Sequence, residues 1–375
     1  MIYLDHHATT PTRSEVLEVM HRASVEAFGN PSSPHHVGKV ARQWLTSALA
    51  EIATCLDAHP DEILFTSGAT ESNNLAIFGL MPDNARQIIT SDLEHPCVLA
   101  PVEYLGKSHL TVSKCAIKSD GQLNHEDFIR NIGDQPGIST LQLVNHEMGA
   151  IQQVSKLSHE IRRLNPQMVV HCDAAQGVGK IPVSFRQLHV DSLSASGHKF
   201  GGPKGIGLLI VKKSLKLRPL LHGGHQQHGK RPGTESVPLI CGLASALTIA
   251  NKELTANFAQ VSLLKQKFLD CFSGTLHEVN SPTDGSPYVV NIAFPGCRAE
   301  MLLIKLDLAG IACSAGSACS SGSLLPSPVL KAIGVPLEKN RSSLRFSFHA
   351  QQSVEEITRA GRTVAGIVST MASVG

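Results

Sequence analysis

Lys199 lies in Ser196-Gly197-His198-Lys199-Phe200-Gly201-Gly202-Pro203-Lys204-Gly205, directly after the apolar run 191–195. A lysine amine at the end of a buried strand, flanked by small residues and an imidazole, loses proton affinity by desolvation and becomes a nucleophile. That chemistry suits a Schiff base with pyridoxal phosphate; a surface lysine in a glycine turn is the plain alternative. Asp173 ends the run 168–173, where a carboxylate could face a protonated pyridine nitrogen and keep such a ring an electron sink. A strand-end carboxylate capping a turn explains the same residue. Gln176, three positions on, could donate to a ring oxygen. Ser67-Gly68-Ala69-Thr70 follows the apolar run 63–66, and small residues before a helix N-terminus form a phosphate cradle. Thr70 as a simple N-cap accounts for that segment equally well. His95 opens a further helical pattern, as a ring to stack on a cofactor or as a cap. Cys319 sits in a stretch, 313–323, nearly free of bulky side chains, which reads as a mobile loop carrying a thiol. An ordinary loop cysteine is the alternative there. A thiol of pKa about 8.5 is mostly protonated at neutral pH, so a site using it must lower that value or supply a base.

The elements that must position these groups alternate along the chain. Short apolar runs at 63–66, 87–91, 110–116, 140–145, 168–173, 191–195 and 207–211 are interleaved with helical spacing at 70–79, 95–107, 125–132 and 153–164. This predicts an α/β architecture, a mostly parallel seven-stranded sheet between helices, with ligands at the carboxyl ends of the strands. Residues 213–234 are rich in glycine and proline. A long helix from 236 to about 271, broken near 251, leads to a smaller α+β part. The domains expected are 14–250, large and ligand-binding, and 1–13 with 251–375, small and carrying the Cys319 loop.

Composition excludes several functions. The chain has 375 residues, 42% hydrophobic, 17% charged and 4% aromatic, enough for a large domain and a smaller one. A net charge of +2 gives no electrostatic case for direct nucleic-acid contact. No apolar run approaches the about 20 residues of a membrane span, and the first residues do not read as a signal peptide. Nine scattered cysteines without a Cys-x-x-Cys pair fit a reducing compartment, so a cytoplasmic protein is expected. His222, His225 and His228 recur every three residues and leave a metal-binding or sulfur-carrier scaffold as a reading of another class; otherwise no metal is expected.

Ordered segments carry a resemblance: Tyr3-Leu4-Asp5-His6-His7-Ala8-Thr9-Thr10-Pro11, Phe28-Gly29-Asn30-Pro31-Ser32-Ser33, 65–74, Glu94-His95-Pro96, Asp173-Ala174-Ala175-Gln176, the Lys199 segment, Arg231-Pro232-Gly233-Thr234 and Gly316-Ser317-Ala318-Cys319-Ser320. Over nearly its whole length the chain resembles the NifS/IscS-type cysteine desulfurases, pyridoxal-phosphate enzymes of fold type I in the class V aminotransferase group. The resemblance implies that Lys199 carries the cofactor, Asp173 faces its pyridine nitrogen, Gln176 its phenolate oxygen, and His95 stacks on its ring. It implies phosphate contacts from Ala69, Thr70, Ser196 and His198, and from Thr234 of the partner in a homodimer. Asn145 matches a cofactor and substrate contact, and Arg345 would hold the carboxylate of L-cysteine. Cys319 matches the cysteine that takes the sulfur as a persulfide and hands it to an acceptor protein, leaving L-alanine; Cys313, at a strand end, is the rival thiol. Three departures stand out. His146 replaces an asparagine in Asn145-His146-Glu147 and reads as a bystander. Pro232 replaces a serine and stiffens its loop. The end at Gly375 is shorter than many relatives, which leaves the acceptor open between iron–sulfur assembly and tRNA or DNA thiolation. A class V aminotransferase or selenocysteine lyase would share Lys199, Asp173 and the phosphate cradle without needing Cys319.

Overall fold

The β-branched and leucine-rich runs form a single sheet because each presents apolar side chains to both faces. The computed structural model describes residues 1–108, 110–316 and 325–372. Its main sheet has seven strands in the spatial order Ile63–Thr66, Gly207–Val211, Ser192–Ser196, Val169–Asp173, Gly137–Gln142, Gln87–Thr90 and Thr111–Lys114. Gly207–Val211 runs antiparallel to both neighbours, and every other pairing is parallel. The expected α/β fold is thus present. Alternation along the strands splits the interior in two. Leu64, Val169 and Leu209 pack under the helices Ala69–Leu80 and Pro96–Gly106. Ile63, Phe65, Val170, Leu208 and Ile210 face the opposite side, with His36–Leu56 and Val237–Lys252.

A third apolar cluster lies beyond residue 253. It joins Val261, Leu264 and Phe268 to Val290, Ile292, Leu344 and Phe346, and takes in Ile2 and Leu4 from the start of the chain. Its sheet is antiparallel, Ser343–Ser347 beside Val289–Ala293 beside Glu278–Val279. Ile2–Tyr3 pairs in parallel with Ile311–Ala312.

Two expectations shift, and the long helix is broken close to where its sequence predicts. The run 110–116 forms only the edge strand Thr111–Lys114, exposed at its two ends and half-buried in the middle. The run 140–145 begins earlier, at Gly137, because 137–139 pair with 87–89. It ends at Gln142, since Asn145 Oδ1 accepts the N–H groups of Glu147 and Met148, both at 2.9 Å, and turns the chain. The long helix is two, Val237–Lys252 and Leu254–Leu269, meeting at Glu253, which is held by Arg13 Nη1 at 2.6 Å. No single helix among the described residues is long and apolar enough to cross a membrane.

Candidate active site

The parallel strands end along one edge of the sheet, and Gly207 begins the antiparallel strand at that same edge. Past these ends lies a cavity of about 380 Å³. It is lined by Ala69, Thr70, His95, Asp173, Gln176, Ser196, His198 and Lys199, so eight expected residues converge. Its lining also includes Thr9, Cys97, His146 and Lys204. A groove of about 460 Å³ between Trp44, Glu51 and Cys241 shows no such convergence.

Lys199 closes the single turn Gly197–Lys199 that follows its strand. Its Nζ donates to His7 O at 2.6 Å and Ala8 O at 2.9 Å. The N-terminal segment is locked there by Thr10, whose N–H and Oγ1 both reach His198 O at 2.8 Å. Asp173 is 4% exposed; its Oδ2 accepts from Asn73 Nδ2 at 2.8 Å and its Oδ1 from Ala175 N at 3.0 Å. Asn73 Oδ1 in turn receives His171 Nε2 at 2.9 Å and Ser194 Oγ. A carboxylate accepting two such bonds is fixed in direction as well as place.

His95 caps the helix Pro96–Gly106, with its Nδ1 accepting Cys97 N–H at 3.1 Å. That bond leaves the ring proton of the neutral imidazole on Nε2. Both proposed roles of this residue, cap and cavity wall, are therefore present together. Its ring meets His146 edge-on with centroids 5.1 Å apart. Burial lowers the pKa of both imidazoles from the usual value. Burial, followed by the nearby Lys199, pushes His198 down to about 4. Burial and then the Asp173 carboxylate raise Glu94 well above the carboxylate range. His146 lines the cavity.

The anion end is built by Ala69–Leu80, whose N-terminal cap is Gly68 rather than Thr70. Ser67 N–H donates to Glu71 Oε2 at 2.6 Å, and Glu71 Oε1 pairs with Arg231 Nε at 2.9 Å. Gly207 lets this turn approach: a Cβ there would lie 2.6 Å from Gly68 Cα. The first N–H groups of the helix thus remain available to an anion.

The remaining candidates lie elsewhere. Asn145 is absent from the cavity wall; its amide is spent on Leu93 O and Gln142 Oε1, both at 3.1 Å, and on the turn described above. Arg345 is 2% exposed, far from a surface ion pair. It donates to Asp5 Oδ1 at 2.9 Å and His146 O at 3.0 Å, and its buried Nε has no hydrogen-bond partner among the described residues. Thr234 is exposed, outside this chain's cavity. Cys319 lies outside the described residues. Cys313 follows Ile311–Ala312 at the strand end, and burial raises its thiol far above the usual value, which disfavours it as a nucleophile. His222, His225 and His228 do not converge; no group of three or more His, Cys, Asp or Glu among the described residues could hold a metal ion. Along the sheet edge the turn 67–70 after Ile63–Thr66, the Lys199 amine after Ser192–Ser196 and the Asp173 carboxylate at the end of Val169–Asp173 come in that spatial order around the cavity.

Known proteins bear on this geometry. Residues 2–360 match the family model of aminotransferase class-V. The cysteine desulfurase IscS of Dictyoglomus turgidum is 37% identical over 362 residues, 95% of this chain and 91% of that one. The solved structure of a NifS-like protein superimposes with a TM-score of 0.93 at 32% identity, covering 98% and 99% of the two chains. SspA in complex with cysteine gives 0.83 at 32% identity, with 94% and 100% covered.

Proposed function

Because the chain belongs to the class-V aminotransferase family and is a cysteine desulfurase, we propose that Lys199 holds pyridoxal phosphate in this cavity and that Cys319 collects the sulfur. The observation that supports this reading is the convergence of Lys199, Asp173, His95 and a helix N-terminus on one cavity. The donor set fits the group. Thr70, Ser196 and His198 stand beside the helix N-terminus for a phosphate, and the bare Gly207 leaves room there. Asp173, oriented by Asn73, suits a protonated ring nitrogen, Gln176 a ring oxygen, and His95 a ring face. When bound, pyridoxal phosphate supplies an electron sink for charge developing at the substrate carbon.

The chain's own groups do the rest. The Lys199 amine, held by two main-chain carbonyls, takes a proton from the α-carbon of L-cysteine at Nζ and returns one. Arg345 offers a guanidinium already fixed by Asp5, with Nε to spare, for the substrate carboxylate. Asn145 serves by shaping the turn that carries His146. The Cys319 thiolate attacks the substrate sulfur. A sulfur–sulfur bond forms, the carbon–sulfur bond breaks with its electron pair left on carbon, and protonation there yields L-alanine. The persulfide then passes to an acceptor protein.

SspA's capture of cysteine supports L-cysteine as substrate. The exposure of Thr234 outside its own cavity supports a homodimer in which it reaches the phosphate of the partner. The separate apolar core beyond residue 253 supports a small part made of 1–13 and 251–375 beside a large one of 14–250. The described cysteines are all unpaired, in keeping with a cytoplasmic setting. The test is to add pyridoxal phosphate and cysteine to purified protein. Wild type should turn yellow and form alanine without an added keto acid. Lys199→Ala should lose both; Cys319→Ala should keep the colour and lose the persulfide. Sulfide release at the wild-type rate from Cys319→Ala would overturn the role of that thiol.

A further inference from the structure

Lys180 is a lysine with no carboxylate beside it among the described residues. It is 4% exposed, and its Nζ donates to Gln176 Oε1 at 2.6 Å. The Tyr288 ring lies under the amine, 5.9 Å from Nζ to its centroid. A buried amine is costly unless it is bonded, so its single polar contact carries information. The far side of the same amide is equally determined. Gln176 Nε2 donates to His7 O at 2.9 Å, and a carbonyl can only accept. His7 O is also the acceptor of Lys199 Nζ at 2.6 Å. Lys180, Gln176, His7 O and Lys199 thus form one continuous chain of hydrogen bonds, and two of its members, Gln176 and Lys199, line the cavity.

We propose that Lys180 is a positioning residue: by donating to Gln176 Oε1 it fixes the amide so that only N–H groups face the cavity and His7 O. Gln176 Nε2 carries two protons. One is committed to His7 O, and the second is left for an acceptor oxygen of the ligand. With the amide turned over, Oε1 would oppose both His7 O and that oxygen. Lys180 prevents the flip from a distance and touches neither ligand nor reacting atoms. Burial, followed by Lys199 and Arg345, lowers the proton affinity of Lys180, in keeping with two amines sharing one small region.

This inference rests on pyridoxal phosphate being the ligand, and its test separates the two. Holoenzyme is prepared with pyridoxal phosphate, and cofactor release is followed by absorbance after dilution into an aldehyde trap. Lys180→Met keeps the apolar stem and removes the donor. Release should quicken roughly tenfold, the scale of one buried hydrogen bond. In a Gln176→Ala background the same change should add nothing, because the group it acts through is gone. Lys180→Gln, which can still donate to Oε1, should recover most of the loss. Equal release from Lys180→Met and wild type, or full additivity in the double variant, overturns the inference. Should Lys180→Met not fold, Lys180→Gln decides: release as fast as from Gln176→Ala overturns it too. Wild type that takes up no pyridoxal phosphate would instead sink the proposed function.

Discussion

Asn73 shows how a site residue depends on others that never meet a substrate. Its one side chain donates to Asp173 and accepts from His171 and Ser194, all inside the sheet–helix interface. Replacing it by alanine leaves those buried groups unpaired, at about 1–3 kcal/mol for each orphaned group. Asn73→Ala should therefore lower the urea midpoint, and the extra stability gained from added pyridoxal phosphate should shrink, because Asp173 loses its orientation. Undiminished stabilisation by the cofactor would show that Asp173 holds its place unaided. Lys199, Asp173 and Gln176 could be picked from the sequence because each is a chemically distinctive side chain just past an apolar run. The carbonyls of His7 and Ala8 could not, since a main-chain acceptor has no residue type. Asn73 was hidden in the same way, as an ordinary helical residue whose partners are remote in sequence, and Lys180 sits in a turn with nothing in its residue type to mark its bond to Gln176. His146 left a signal, its unusual place between Asn145 and Glu147, yet only folding brings its ring against His95.

Elements were legible wherever periodicity decided them. All seven strand runs of the main sheet appear, and the parallel order follows from their alternation with helices. Strand ends were less legible, because they are set by pairing and by local side-chain bonds. The Gly137–Gln142 strand illustrates both: pairing with Gln87–Thr90 extends its start, and Asn145 stops it. The antiparallel Gly207–Val211 strand has a role that its residue types alone hide. Entering the sheet at the ligand edge, it brings Gly207 against Gly68. Gly207→Ala would force Cβ to within 2.6 Å of Gly68 Cα and 2.8 Å of Ala195 O. Overpacking of that kind costs about 1–3 kcal/mol, and the phosphate turn is what must yield. Titration with pyridoxal phosphate should show affinity reduced by about tenfold or more; an unchanged affinity would mean that the turn is not part of the binding surface.

At the scale of the whole molecule, burial of imidazoles couples stability to pH. Burial drives His6 and His171 each down to about 3. Unfolding returns them to about 6.5, so below that pH the unfolded chain takes up protons that the folded one refuses. Their contribution is complete above about pH 6.5 and declines as pH falls toward 3. Each can add up to about 1.4 kcal/mol of lost stability per pH unit in that window. Urea midpoints should drop more steeply between pH 6.5 and 5 than between pH 8 and 7. His171→Asn, if it folds, should soften that drop, and an equally steep fall would assign the effect to other groups.

The opening residues of the chain make a final point about timing. His7 N–H bonds Ser347 Oγ at 2.9 Å, Ile2 pairs with Ile311, and the carbonyls of His7 and Ala8 hold Lys199. This segment is made long before two of its docking partners, Ile311 and Ser347, which lie more than three hundred residues further along the chain. Nascent chains therefore carry the carbonyls that hold Lys199 on an incompletely docked segment until the strand Ser343–Ser347 has been made.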